Sequence, residues 1–127
     1  MAKFINDAAL DLLLSYIDDC DRIAVCHGQP ADYAEMTTNE GAGGHKLAIS
    51  ATPTFQAIVN GGGGGRDLEV DAEAGMTVDV TGDADHVALG LSAGATLRAV
   101  TTCTLQTLTA GNTVSTPHWH ITVGDPT

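Results

Sequence analysis

Basic residues are scarce: five Lys and Arg stand against sixteen Asp and Glu, leaving a formal charge of −11 on 127 residues. A nucleic-acid partner demands a basic footprint, and a surface of this sign repels both phosphate and anionic lipid. The charge therefore excludes nucleic acid and an anionic membrane surface as partners and favours solubility. Aromatic residues are also few, one Trp, two Tyr and two Phe, so the core falls to Val, Leu, Ile and Ala. Cysteine is limited to Cys20, Cys26 and Cys103, an odd number with no C-x-x-C spacing, which argues against a disulfide framework and a zinc knuckle. Those thiols point to a reduced compartment, with burial as the default for each. No apolar run approaches membrane-spanning length, and the first residues lack the basic start, unbroken apolar stretch and small-residue cleavage site of a signal peptide.

What the chain does contain is short apolar runs and fifteen glycines. One domain is expected over residues 1–127, since a chain of this length buries roughly two thirds of its unfolded surface without staples. Asn6 followed by Asp7, then Leu10, Leu13, Leu14 and Ile17 at three-and-four spacing, predicts an N-terminal helix over about 6–20. Leu12 and Tyr16 widen its apolar face, so the helix should pack on more than one surface. "RIAVCHG" reads as a buried strand, and Pro30 with its polar followers as a connection. Further strands are expected at 45–51, 55–59, 67–72, 76–81, 86–91, 95–102, 104–109 and 118–123, with turns at "EAGMT", "GDAD", "SAGA" and "TAGNT". The fold class is mainly β: an antiparallel β-sandwich or barrel with one N-terminal α-helix.

"NGGGGGR" over 60–66 raises the question of a phosphate loop. Gly-Lys-Ser/Thr is missing and a strand pattern, "DLEVDA", follows where a helix is required, so the segment reads as a flexible Gly-rich loop or hairpin tip. Asp67, Glu69, Asp71 and Glu73 alternate with Leu68, Val70 and Ala72, which predicts an outward-facing acidic ladder that Asp79, Asp83 and Asp85 could extend. Such oxygens suit calcium, but no EF-hand loop is present; a solvated edge or a partner surface is the simpler account.

"STPHWHITV" sets His118 and His120 either side of the only Trp. Residues two apart on a strand share a face, so the two imidazoles could share a metal while Trp119 and Ile121 turn inward. His27, His45 and His86 lie in other elements and offer no third ligand, so no metal site is assigned and His118 with His120 stay as candidate ligands only. A symmetry axis of an oligomer is one place where the missing ligands could come from. Cys26 and His27 are adjacent and face opposite sides of a strand, Ser50, Ser92 and Ser115 lack a nucleophile elbow, and no cofactor motif appears, so no catalytic residue is assigned and no enzyme is expected.

Five segments in order, "KFINDAALDLLLSYI", "VCHGQPADYAE", "HVALGLSAGATLRAVTT", "LQTLTAGNTV" and "PHWHITVGDP", resemble a family of small virion structural proteins of tailed bacteriophages found among head and decoration components. The resemblance implies a non-enzymatic capsid decoration or cement protein on the outer surface of the virion, made in the bacterial host cytoplasm and partnered by the major capsid protein. A homo-oligomer is expected, with a trimer favoured by the three-fold positions of an icosahedral shell. A neck or tail component, and a metal- or carbohydrate-binding β module, are the alternatives.

Overall fold

The computed structural model describes residues 5–62 and 64–124. Over the described residues the chain is mainly β, with antiparallel sheets and two helices, one of them N-terminal. In chain order the elements are α1 (Asp7–Asp18), β1 (Arg22–Cys26), α2 (Tyr33–Thr37), β2 (Lys46–Ser50), β3 (Val59–Asn60), β4 (Arg66–Val70), β5 (Glu73–Thr77), β6 (Gly82–Leu91), β7 (Thr96–Leu108), β8 (Thr113–Thr116) and β9 (Trp119–Val123).

The strands form a four-stranded sheet in the order β2-β1-β6-β7, a three-stranded sheet β3-β4-β9 and a two-stranded sheet β5-β8. β1 explains why the layers close. Ile23 and Val25 turn to a core shared with Val70 of β4, Met76 of β5, and Trp119 and Ile121 of β9, so this face packs the four-stranded sheet against the other two. Ala24 and Cys26 turn to the opposite face, where α2 covers them with Met36 and Tyr33. A strand buried on both sides reads as a continuous apolar run, as "RIAVC" does.

α1 begins where Asn6 accepts a hydrogen bond from the Ala8 N–H at 2.8 Å, satisfying one of the free donors of the first turn. Leu10 and Leu14 are fully buried, and the helix lies against β4, β7 and β9. Two cations pin it: the Arg66 guanidinium donates to Asp11 at 2.7 Å, and that of Arg98 donates to the Tyr16 carbonyl while sitting 3.7 Å over the Tyr16 ring. The helix is shorter than the expected 6–20 because Asp18 and Asp19 place negative charge at its negative end.

Several boundaries depart from the sequence expectation. "GDAD" is not a turn but the start of β6, where Ala84 is buried in the core and Asp83 accepts from the Thr107 hydroxyl across the hairpin at 2.9 Å. "EAGMT" is β5; Gly75 at φ 70° sits in the register shift between Glu73 and Met76, and the burial of Met76 holds the strand. The runs at 95–102 and 104–109 are one strand, β7, paired along the length of β6 with irregularities at Ala84/His86 and Leu89/Gly90. β8 and α2 lack an expected counterpart, while 55–59 is mostly irregular apart from a bridge from Phe55 to Val70 and the start of β3 at Val59.

The glycine run forms the connection of the β3–β4 hairpin, closed by the Gly61 N–H donating to the Gly65 carbonyl at 3.1 Å. Gly63, in the middle of the expected 60–66 loop, lies outside the described residues.

Candidate functional site

β4 is the central strand of its sheet, and its register with β9 sets Asp67 opposite Thr122, Glu69 opposite His120 and Val70 opposite Trp119. Alternation then sorts the two faces. Leu68 and Val70 are buried, and Trp119 and Ile121 pack on the core, as expected. Asp67 and Glu69 share the outer face with His120 and Thr122, and His118 lies beside them. The acidic ladder and the His-x-His pair, two separate features in the sequence, are one surface.

Asp67 organises this surface. One carboxylate oxygen accepts from the His120 Nδ1–H at 2.7 Å and the other from the Thr122 hydroxyl at 2.7 Å. These bonds, Thr122 first and His120 second, hold the Asp67 carboxyl below its ordinary pKa, and the same contact raises His120 above the ordinary imidazole value, with Glu69 adding to the effect. With Nδ1 committed, the free His120 Nε2 stands 4.0 Å from Glu69 Oε2. The two imidazole rings meet edge to face, centroids 6.2 Å apart. One donor atom from each of Glu69, His118 and His120 lies within 4.8 Å of the other two.

The next rungs are also engaged. Asp71 accepts from the Thr54 hydroxyl at 2.8 Å and the Gln56 amide at 2.7 Å, which lowers its pKa, Gln56 contributing most. Glu73 accepts from the Ser50 hydroxyl at 2.8 Å. The bonds to Asp71 hold the 54–57 segment along the β3 side of β4, where Gln56, Ala57 and Val59 wall a cavity of about 310 Å³ whose floor is Asp67, Glu69 and His120. Asp79 extends the patch beside Glu73, where it pairs with Lys46 at 2.9 Å. Asp83 and Asp85 do not: Asp83 takes the Thr107 hydroxyl, and Asp85 accepts from the Gly28 N–H and from His86 Nδ1, each at 2.7 Å.

The other candidates sit apart. His45 reaches the His27 carbonyl at 2.7 Å and lies between Glu35 and Glu40 at 3.6 and 3.8 Å. Cys26 is buried under α2 while His27 is exposed. Burial pushes the Cys20 thiol up to about 11 and the Cys26 thiol up to about 12, so both stay protonated at neutral pH. Cys103, expected to be buried, lies on the exposed stretch of β7. A second cavity, of about 240 Å³, opens between β7 and β8 and is lined by Val25, Val87, Cys103 and Val114.

α1 carries the remaining unmatched feature. Leu12, Leu13 and Tyr16 are 74, 56 and 49 % exposed on a helix whose Leu10 and Leu14 are buried, so Leu13 leaves the expected core face and the second surface expected to pack through Leu12 and Tyr16 is turned outward instead. No helix among the described residues is long and apolar enough to cross a membrane. Compared with known proteins, the chain matches no family model, no curated protein and no solved structure.

Proposed function

We propose that the chain is a virion structural protein of a tailed bacteriophage, a decoration or cement protein that braces neighbouring major capsid proteins on the outer surface of the head. The observation that carries this reading is the outward apolar face of α1. A helix anchored from beneath by Leu10 and Leu14 and tied by Arg66 and Arg98 presents Leu12, Leu13 and Tyr16 on a rigid base. Covering apolar surface is favourable by roughly 25 cal/mol per Å², so such a patch is a natural anchor for a protein partner. The resemblance of the five sequence segments supports a capsid protein as that partner. The charge of −11 keeps the unbound protein soluble and suits a basic patch on the shell.

A cement protein binds a lattice, and a closed oligomer, for which a trimer fits three-fold positions, turns weak individual contacts into a strong joint one. The test is recruitment to heads that lack the protein. Wild-type chain should bind in hundreds of copies per head, and Leu12→Ser with Leu13→Ser should lose binding while keeping its circular dichroism. Equal recruitment of the double variant removes the helix face as the anchor. Binding of only a few copies, at one vertex, makes the chain a neck or tail component.

A further inference from the structure

We propose that Glu69, His118 and His120 bind one divalent transition-metal ion of the zinc class within a single chain, with Asp67 as the residue that orients His120. The donor set is two imidazole nitrogens and one carboxylate oxygen, a combination that zinc, cobalt and nickel accept and that calcium and magnesium, which want oxygens, do not. The three donor atoms already lie within 4.8 Å of one another. Ligands on a tetrahedral zinc stand about 2.0–2.2 Å from the ion, so the required contraction is of the order of an ångström. Side-chain rotation supplies it, because both histidines are exposed and His120 is held by a hydrogen bond to Asp67 and an edge contact with His118 that moves with it.

The Asp67–His120 contact is the stronger part of the case. A metal-bound imidazole commonly donates its other ring N–H to a carboxylate, which selects the tautomer and aims the free nitrogen at the ion. Here Nδ1 is held by Asp67 at 2.7 Å, Asp67 is itself held by Thr122, and Nε2 is left facing Glu69 at 4.0 Å. A nitrogen lone pair and a carboxylate oxygen 4.0 Å apart can share a cation between them, either a proton or a metal ion. Three protein ligands leave one position of a tetrahedral ion open, next to the 310 Å³ cavity walled by Gln56, Ala57 and Val59. The site is built from β4, β9 and His118 just before β9, and does not involve the α1 face, so it stands or falls separately from the capsid reading.

The test uses the full chain, stripped with a chelator and dialysed, then titrated with Zn²⁺ by calorimetry and with Co²⁺ by visible absorption. One ion per chain is expected. Glu69→Gln and His118→Ala should each abolish saturable binding, and Asp67→Asn, which keeps the side-chain shape, should weaken it by about 10–100-fold. His45→Ala removes an imidazole that lies between two carboxylates, Glu35 and Glu40, outside the site and should change nothing. Circular dichroism of each variant separates lost binding from lost fold. No saturable binding by the wild-type chain, or wild-type affinity in both Glu69→Gln and His118→Ala, overturns the proposal. So does loss of binding in His45→Ala. One ion per two or three chains transfers the ligands to a symmetry axis and overturns the single-chain site as well.

Discussion

Asp67 and His120 meet at 2.7 Å across the β4–β9 pairing, one rung away from the direct neighbours Glu69 and His120. The contact should be visible in the titration of His120. In metal-free protein, the imidazole should titrate above the ordinary value near 6.5, and Asp67→Asn should bring it back down. A raised imidazole pKa stabilises the fold fully below about pH 6.5, and that contribution is lost as pH rises through the folded value. Proton NMR of the ring C–H signals reads this directly; an unchanged His120 titration in Asp67→Asn contradicts the contact.

The carboxylates predict the opposite slope in acid. Asp21, Asp67, Asp71 and Asp85 are all held below the ordinary carboxyl value, chiefly by hydrogen bonds from Ser92, Thr122, Gln56 and His86 respectively. Their contribution is present above the unfolded pKa near 3.9 and drains away as pH falls through the folded values. Thermal midpoints measured from pH 6 to pH 2 should therefore fall steeply below about pH 4. Asp85→Asn should shallow that fall; an identical acid profile in the variant would remove Asp85 from the account.

Gly90 should not tolerate a side chain. It lies on β6 under α2, where an added Cβ would stand 2.8 Å from Met36 Sδ and 3.0 Å from the Tyr33 ring. Gly90→Val should cost about 1–3 kcal/mol by overpacking. Gly124→Ala, where nothing lies within 4 Å, should stay within about 0.5 kcal/mol of wild type. Urea denaturation compares the two, and equal midpoints would mean that α2 does not pack against β6 as described.

Ala95 offers a change in the other direction. It occupies the left-handed region at φ 50° in the turn between β6 and β7, a conformation that costs a residue with a Cβ about 1–2 kcal/mol. Ala95→Gly relieves that strain and surrenders some chain entropy, so a net gain of up to about 1 kcal/mol is expected. A lower denaturation midpoint in Ala95→Gly would contradict the turn geometry.

The inner faces of the strands were legible from alternation alone: Leu68 and Val70 on β4, and Trp119 and Ile121 on β9, lie where a two-residue period puts them. The helix was legible from its three-and-four spacing, which places Leu10 and Leu14 in the core, but Leu13, expected on that face, and Leu12 and Tyr16, expected to pack on a second surface, are exposed. Punctuation misled where tertiary pairing overrode it. The Gly and Asp residues of "GDAD" look like a turn, yet β6 continues through them because β7 runs opposite and Ala84 enters the core. Glu69 as a partner of the two histidines could not be found beforehand. Nearly fifty residues separate β4 from β9, and only their register says that Glu69, rather than Asp67 or Asp71, stands across from His120. Asp67 as the residue that selects the His120 tautomer depends on the same register and on its own bond to Thr122.

The most direct measurement of the central claim is electron microscopy of intact virions at a resolution that traces this chain. The account predicts many copies on the outer surface of the head, at or around three-fold positions, with Leu12, Leu13 and Tyr16 of α1 seated against capsid protein. Density confined to the neck or tail, or an α1 face turned to solvent on the assembled particle, would contradict it.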